Sequence, residues 1–294
     1  MTTVAEQLIA AGRRVQVFGA PDGAAALLAG AMAQRRDVVH VARDDSRLAG
    51  FAEAVAFFHP QTPVLRFPAW DCLPYDRVSP NAEVVSRRIE SLGALAAGAP
   101  AAPRVVVTTV NAALQRVPAR TVFAGATFSA RIGERLALDD LLAFLVRNGY
   151  RRAETVREAG ELAVRGGIVD LFPPGAPEPL RLDLFGDTLE GIRTFDAMTQ
   201  RSRGRLERID LRPVSEVLLD EAAVGRFRSG YRELFGAVGG DDQLYAAVSA
   251  GRRHPGLEHW LPLFHERLET LFDYLPGAVV LLDHQAEETI AERL

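Results

Sequence analysis

Apolar positions along this chain fall into two regimes. In the first, short β-branched runs alternate with stretches of helical period. Residues 13–18 (Arg-Arg-Val-Gln-Val-Phe) read as a strand, followed by a loop holding Gly19, Pro21 and Gly23 and an alanine-rich helix over about 23–34. Residues 38–42 and 64–67 predict two further strands around a helix over 47–57. Ser79 offers a helix N-cap with Pro80 at the first helical position, after which Val85, Ile89, Leu92 and Ala96 recur at helical spacing. Residues 105–108 supply another strand. Strands separated by helices predict a parallel sheet covered on both faces.

From about Phe123 the pattern changes. Asp139 predicts the cap of a short helix over 141–147 that ends at Gly149, and strands with hairpin turns follow to Arg212. Gly-Ile-Val-Asp-Leu-Phe (167–172) is strand-like, Pro-Pro-Gly-Ala-Pro (173–177) cannot continue it, and 180–185 resumes strict alternation before Gly186-Asp187 turns the chain. After Pro213 the period becomes helical over 220–235 and, beyond the break at 239–242, over 244–249. Residues 277–283 have a buried-strand pattern that rejoins the first sheet, making the middle region an insertion. The expected fold class is therefore α/β, a parallel sheet carrying an inserted antiparallel α+β domain, with boundaries at 1–118, 119–213 and 214–294. There is no internal repeat, and the longest low-complexity tract is the Ala-Pro stretch at 96–103.

Strand alternation assigns faces in the inserted domain. Leu180, Leu182 and Leu184 point toward a core, while Arg181, Asp183 and Phe185 point away from it. Arg165 opens the preceding strand and Arg193 lies on the next. Arginine beside an exposed aromatic is the composition of a protein–protein hot spot. Periodicity alone leaves a second reading open, in which a helix or loop covers Phe185 and the arginines are ordinary surface charge.

Composition narrows the function classes. Length leaves room for two domains, no run approaches the roughly 18 apolar residues of a membrane span, and the N-terminus lacks a signal-peptide pattern, so a cytoplasmic protein without a membrane partner is expected. A net charge of −4 argues against a dominant nucleic-acid surface. A single cysteine, Cys72, excludes a disulfide framework and a cysteine metal cluster. The 34 basic residues are all arginine, which removes the P-loop ammonium, the Schiff-base amine and the lysine general base from the available chemistry.

The loop from Gly19 to Gly23 sits where a phosphate-binding loop would sit, but Gly-Ala-Pro-Asp-Gly-Ala-Ala has neither the lysine nor the hydroxyl, and Asp22 puts negative charge where phosphate would lie. A degenerate P-loop without nucleotide is expected, with weak anion binding at the helix N-terminus as the alternative. His254, His259 and His265 lack the spacing of a helical ligand pair, so no metal is expected. Trp70 and Tyr75 lie in a short connection, 68–79, and read as packing anchors, with base stacking as the alternative. No catalytic constellation emerges, and the chain itself is expected not to be an enzyme.

Three stretches carry a resemblance: RGGIVDLFPPG from Arg165, PLRLDLFGDTL from Pro179, and RTFDAMTQRS from Arg193. Together they resemble the second domain of bacterial nucleotide-excision-repair proteins, shared by the UvrB helicase and the N-terminal module of the transcription-repair coupling factors (Mfd). A further block, FPAWDCLPYDRVSPNAEVVSRRIESL from Phe67, is more similar to the coupling factors. The lost Walker residues point the same way, as does a 68–79 connection too short for UvrB's DNA-clamping hairpin. The resemblance implies a degenerate UvrB-like first domain, an inserted UvrA-binding domain, and a non-catalytic adaptor that recruits UvrA to stalled RNA polymerase. It implies UvrA contacts at Arg165, Arg181 and Phe185, with Asp183 orienting the arginines and Arg193 beside them. For the full-length family member it implies an ATP- and Mg-dependent motor on double-stranded DNA and a C-terminal domain that masks the UvrA surface. The alternative reading is a local DNA-binding module of a UvrB-like helicase.

Overall fold

The computed structural model describes residues 4–97, 102–239 and 241–293, so part of the Ala-Pro tract (98–101) and Gly240 of the expected break lie outside the described residues. Packing divides the chain into two compact units, one of residues up to 69, 97–117 and 269 onward, the other of 70–96 and 118–268. The stretch 214–294, expected to return as a whole to the first domain, is split. Residues 214–268 pack with the second unit, because their aromatic core forms there, and only the end joins the first sheet.

The first unit is built on a four-stranded parallel sheet in the order Val279–Leu282, Val38–Ala42, Val105–Thr109, Val64–Phe67. Every residue of the two central strands is buried, as expected for β-branched runs covered on both faces. The helix Asp45–Phe58 starts where the Asp44 side chain accepts from the Arg47 amide, and Phe51 stacks on His40 at 3.5 Å between ring centroids. Helix Asp22–Met32 packs through Ala26, Ala29 and Met32.

Two expectations for this unit are corrected. Residues 13–18 form no strand: they have no ladder partner, and Val15, Val17 and Phe18 are exposed. Alternation signals strand propensity, but a strand also needs a neighbouring edge to satisfy its backbone. The last strand is an edge rather than a buried element, with Val280 and Leu282 partly open to solvent on alternate positions.

That edge strand ends in a clamp. Arg47 donates through Nη2 to Asp283 Oδ1 at 2.7 Å and through Nε to Oδ2. Burial works to raise the Asp283 pKa, but the Arg47 hydrogen bond and charge outweigh it and hold the carboxyl below its ordinary 3.8. A depressed folded pKa contributes stability that is present above the unfolded value and lost as pH falls through the folded one. Asp283→Asn should therefore cost about 1–3 kcal/mol at pH 7 and flatten the loss of stability below about pH 4. Urea unfolding from pH 3 to pH 7 checks this; an unchanged acid limb in the variant would rule the clamp out.

The second unit carries a six-stranded sheet in the order Ser202–Arg205, Thr188–Phe195, Leu180–Phe185, Ile168–Leu171, Glu161–Arg165, Arg151–Arg152. All pairs are antiparallel except the last. One face buries Leu162, Val169, Leu171, Leu180, Leu182, Leu189 and Ile192 against Leu141, Phe144 and Leu145 of helix Leu138–Arg147. Asp139 lies in the first turn of that helix and does not cap it; Ala137 holds the cap position and offers no side-chain acceptor. Helix Glu221–Phe235, capped by Asp220, packs Phe227 and Tyr231 on Phe264, Leu257 and Leu261.

The connection before helix Ala82–Ala96 is tied down by polar groups. Ser79 does not cap this helix, because its hydroxyl donates to Glu258 at 2.6 Å and accepts from the Gly256 amide; the Asn81 side chain accepts from the Glu83 amide in its place. Arg88, fully buried, forks onto equally buried Glu216 at 2.5 and 3.1 Å, and Trp70 Nε1 donates to the same carboxylate. Trp70 is thus a packing anchor. Tyr75 is not: it is 73% exposed, has φ +62°, and touches the Trp260 ring edge.

Among the described residues no helix is long and apolar enough to cross a membrane.

Candidate partner-binding face

Register builds the outer face of the six-stranded sheet. Directly opposed residues run Ala163, Asp170, Arg181, Arg193, Arg205 across one row, and Arg165, Ile168, Asp183, Gly191 across the next. Because side chains alternate along each strand, both rows emerge on the side opposite the Leu180 and Leu182 core. The hairpin turn at Gly186-Asp187 leaves Phe185 at the rim, 76% exposed. The covered-face alternative for Phe185 is therefore not what the fold adopts.

The arginines are not equivalent. The Arg165 side chain is 52% exposed; its Nη2 donates to the Glu154 carbonyl at 2.8 Å and its Nη1 lies 3.8 Å from Asp170. Arg181 is only 16% exposed and forks onto Asp170 through Nε and Nη2 at 2.7 and 2.8 Å. Its guanidinium lies over the Phe195 ring, 4.7 Å from the centroid, and the Asp170 hydrogen bonds raise its already high pKa. Arg193, 39% exposed, donates to Asp183 at 2.6 Å.

Asp183 thus pairs with Arg193, and the carboxylate that organises Arg165 and Arg181 is Asp170. The expectation that Asp183 orients these arginines is corrected by register: Asp170 stands opposite Arg181, while Asp183 stands opposite Ile168 and Gly191. Glycine at 191 leaves the space into which Asp183 swings, since a Cβ there would sit 3.0 Å from its Oδ2. Asp170 was hidden inside an apolar run, and Ile168, partly exposed on the same face, has the chemistry of a core residue. The Asp170–Arg181 pairing lies across strands joined by the longer connection 172–179, so no turn rule fixes it; the two-residue turns set only the opposition of Arg165 with Ile168 and of Phe185 with Thr188. At one of them Gly166 takes φ +63°, and a Cβ on Gly167 would meet the Leu184 carbonyl oxygen at 2.4 Å.

The other candidates lie elsewhere. Gly19 takes φ +69° in the connection before helix Asp22–Met32, and Gly23 falls inside the first turn, facing Phe58. The Ala24 and Ala25 amides are bonded to the Pro21 carbonyl. Asp22 begins this helix, and its side chain lies outside the described residues. His254, His259 and His265 contact the carbonyls of Pro255, Val78 and Glu216 respectively. No group of three or more His, Cys, Asp or Glu among the described residues is arranged to hold a metal ion.

Residues 128–216, which contain the whole face, match the family described as UvrB interaction domain. Over nearly its full length the chain is similar to curated transcription-repair-coupling factors. Identity is 36% over 95% of the chain for the Escherichia coli (strain K12) protein and 35% over 88% for that of Haemophilus influenzae. The chain belongs to the transcription-repair-coupling-factor family. The match to the Myxococcus xanthus coupling factor, 34% identical, covers 97% of the chain. The chain spans about a quarter of the length of these coupling factors, 24% of the E. coli protein and 22% of the H. influenzae one.

Proposed function

We propose that this chain is the adaptor module through which a transcription-repair-coupling factor recruits UvrA, and that the outer sheet face is the docking surface. The observation that carries the reading is Phe185, an aromatic left in solvent on a rigid hairpin beside Arg165 and the Arg193–Asp183 pair, inside the segment that matches the UvrB interaction domain. Such a face suits a partner offering an apolar pocket rimmed by carboxylates. On this reading the parallel sheet of the first unit is a degenerate P-loop domain like that of UvrB, and the six-stranded sheet is its second-domain counterpart. The Gly19–Gly23 connection carries no ammonium and no hydroxyl, so no ATP chemistry is assigned to this chain.

The full-length protein is inferred to supply what this module lacks: an ATP- and Mg-driven motor on double-stranded DNA, contact with RNA polymerase, and a C-terminal domain that covers the face at rest. Titrating purified UvrA into this chain, and into a full-length coupling factor, tests the adaptor reading. The module should bind UvrA without nucleotide and more tightly than the full-length protein does. Absence of binding by the module would reject recruitment, and equal binding by both would reject masking.

A further inference from the structure

We infer that Arg181 serves the docking face as a positioning residue, paired with buried Asp170, and that Arg165, Ile168, Phe185 and the Arg193–Asp183 pair carry the contact with the partner. The inference rests on the docking reading above and redistributes its roles. Every nitrogen of the Arg181 guanidinium is engaged at home: Nε and Nη2 with Asp170, Nη1 with the Gln200 carbonyl at 3.4 Å. Asp170 is 2% exposed, so drawing Arg181 outward would leave a buried carboxylate without its main counter-charge, a loss that buried pairs do not tolerate.

The chain invests further residues in the same seat. Phe195 lies under the guanidinium. Gln200 adopts φ +60°, and its Nε2 donates to the carbonyls of Val156 and Ala197, which fixes the loop whose backbone oxygen meets Arg181. Asp196 accepts from the Met198 and Thr199 amides and closes that loop. Arg165, by contrast, reaches Asp170 only at 3.8 Å and keeps half its side chain in solvent. The buried carboxylate therefore steers Arg165 without consuming it.

A charge-neutral pair separates positioning from direct contact. UvrA binding is measured for the parent chain, Arg181→Met, Asp170→Asn and the double variant, with Arg165→Ala added to the parent and to the double. Arg181→Met alone, which strands the Asp170 charge, should weaken binding about tenfold or more, and the double variant should return to within about threefold of the parent. Arg165→Ala should weaken both backgrounds, and less in the double variant, where the Asp170 charge no longer steers Arg165. A double variant as weak as Arg181→Met would overturn the proposal, since it would place Arg181 against UvrA itself. In the chain without UvrA, the Arg165 guanidinium NMR resonances should move in Asp170→Asn, a change that global stabilisation alone does not produce; unmoved resonances would overturn the steering. Failure of the parent chain to bind UvrA would reject the docking reading, and the assignment of contacts with it.

Discussion

Arg88→Met should destabilise the second unit by about 3–5 kcal/mol, because it takes the counter-charge from the fully buried Glu216 carboxylate and leaves the Trp70 indole donating to it alone of this pair of partners. The substituted side chain fills much of the same space, so the loss is electrostatic rather than a cavity. Arg88 also lies over the Trp70 ring, 5.4 Å from its centroid, so the same change loosens the connection ahead of helix Ala82–Ala96. For a unit of this size the melting temperature should fall by roughly 10 °C. The double variant Arg88→Met with Glu216→Gln should recover a large part of that loss, since a neutral amide no longer requires a counter-charge and can still accept from Trp70. Thermal melts of the three proteins decide it. A double variant no more stable than Arg88→Met would show that the guanidinium matters by shape and not by charge.

Phe185→Ala is expected to do the opposite: leave stability nearly untouched and weaken binding. The ring is largely in solvent, so its truncation should change unfolding free energy by no more than about 0.5 kcal/mol. If it fills a pocket on UvrA, losing it should cost on the order of 2 kcal/mol of association, about a thirtyfold rise in Kd. Titration calorimetry with UvrA, beside a thermal melt of the free chain, separates the two quantities. An unchanged Kd would move the contact to another surface, and a large stability loss would mean that Phe185 packs where the fold leaves it exposed.

How much of this was legible in the sequence depended on whether the signal was local. The central strands at 38–42 and 105–109 were readable because β-branched runs buried on both faces need no knowledge of their neighbours. The faces of 180–185 were readable because alternation is a property of one strand. What failed depended on a partner distant in sequence. Residues 13–18 alternate like a strand but find no ladder, and Ser79 looks like a helix cap until Glu258 claims its hydroxyl. Asp170 escaped notice for the same reason, as its role appears only once its strand is laid beside that of Arg181. Tyr75 was misread because aromatic chemistry suggests burial, whereas its turn leaves the ring in solvent against only the edge of Trp260.

The pairing of Val38–Val41 with Val279–Leu282 joins positions more than two hundred residues apart, across the entire inserted unit. The first sheet therefore cannot acquire this strand on the ribosome until almost the whole described chain has been synthesised. The six-stranded sheet, by contrast, is assembled mostly from hairpins whose strands are neighbours in sequence, which places its folding ahead. During that interval the Val38–Ala42 edge is left without a neighbour on one side, and the apolar run it presents is the segment most exposed to pairing with another nascent chain.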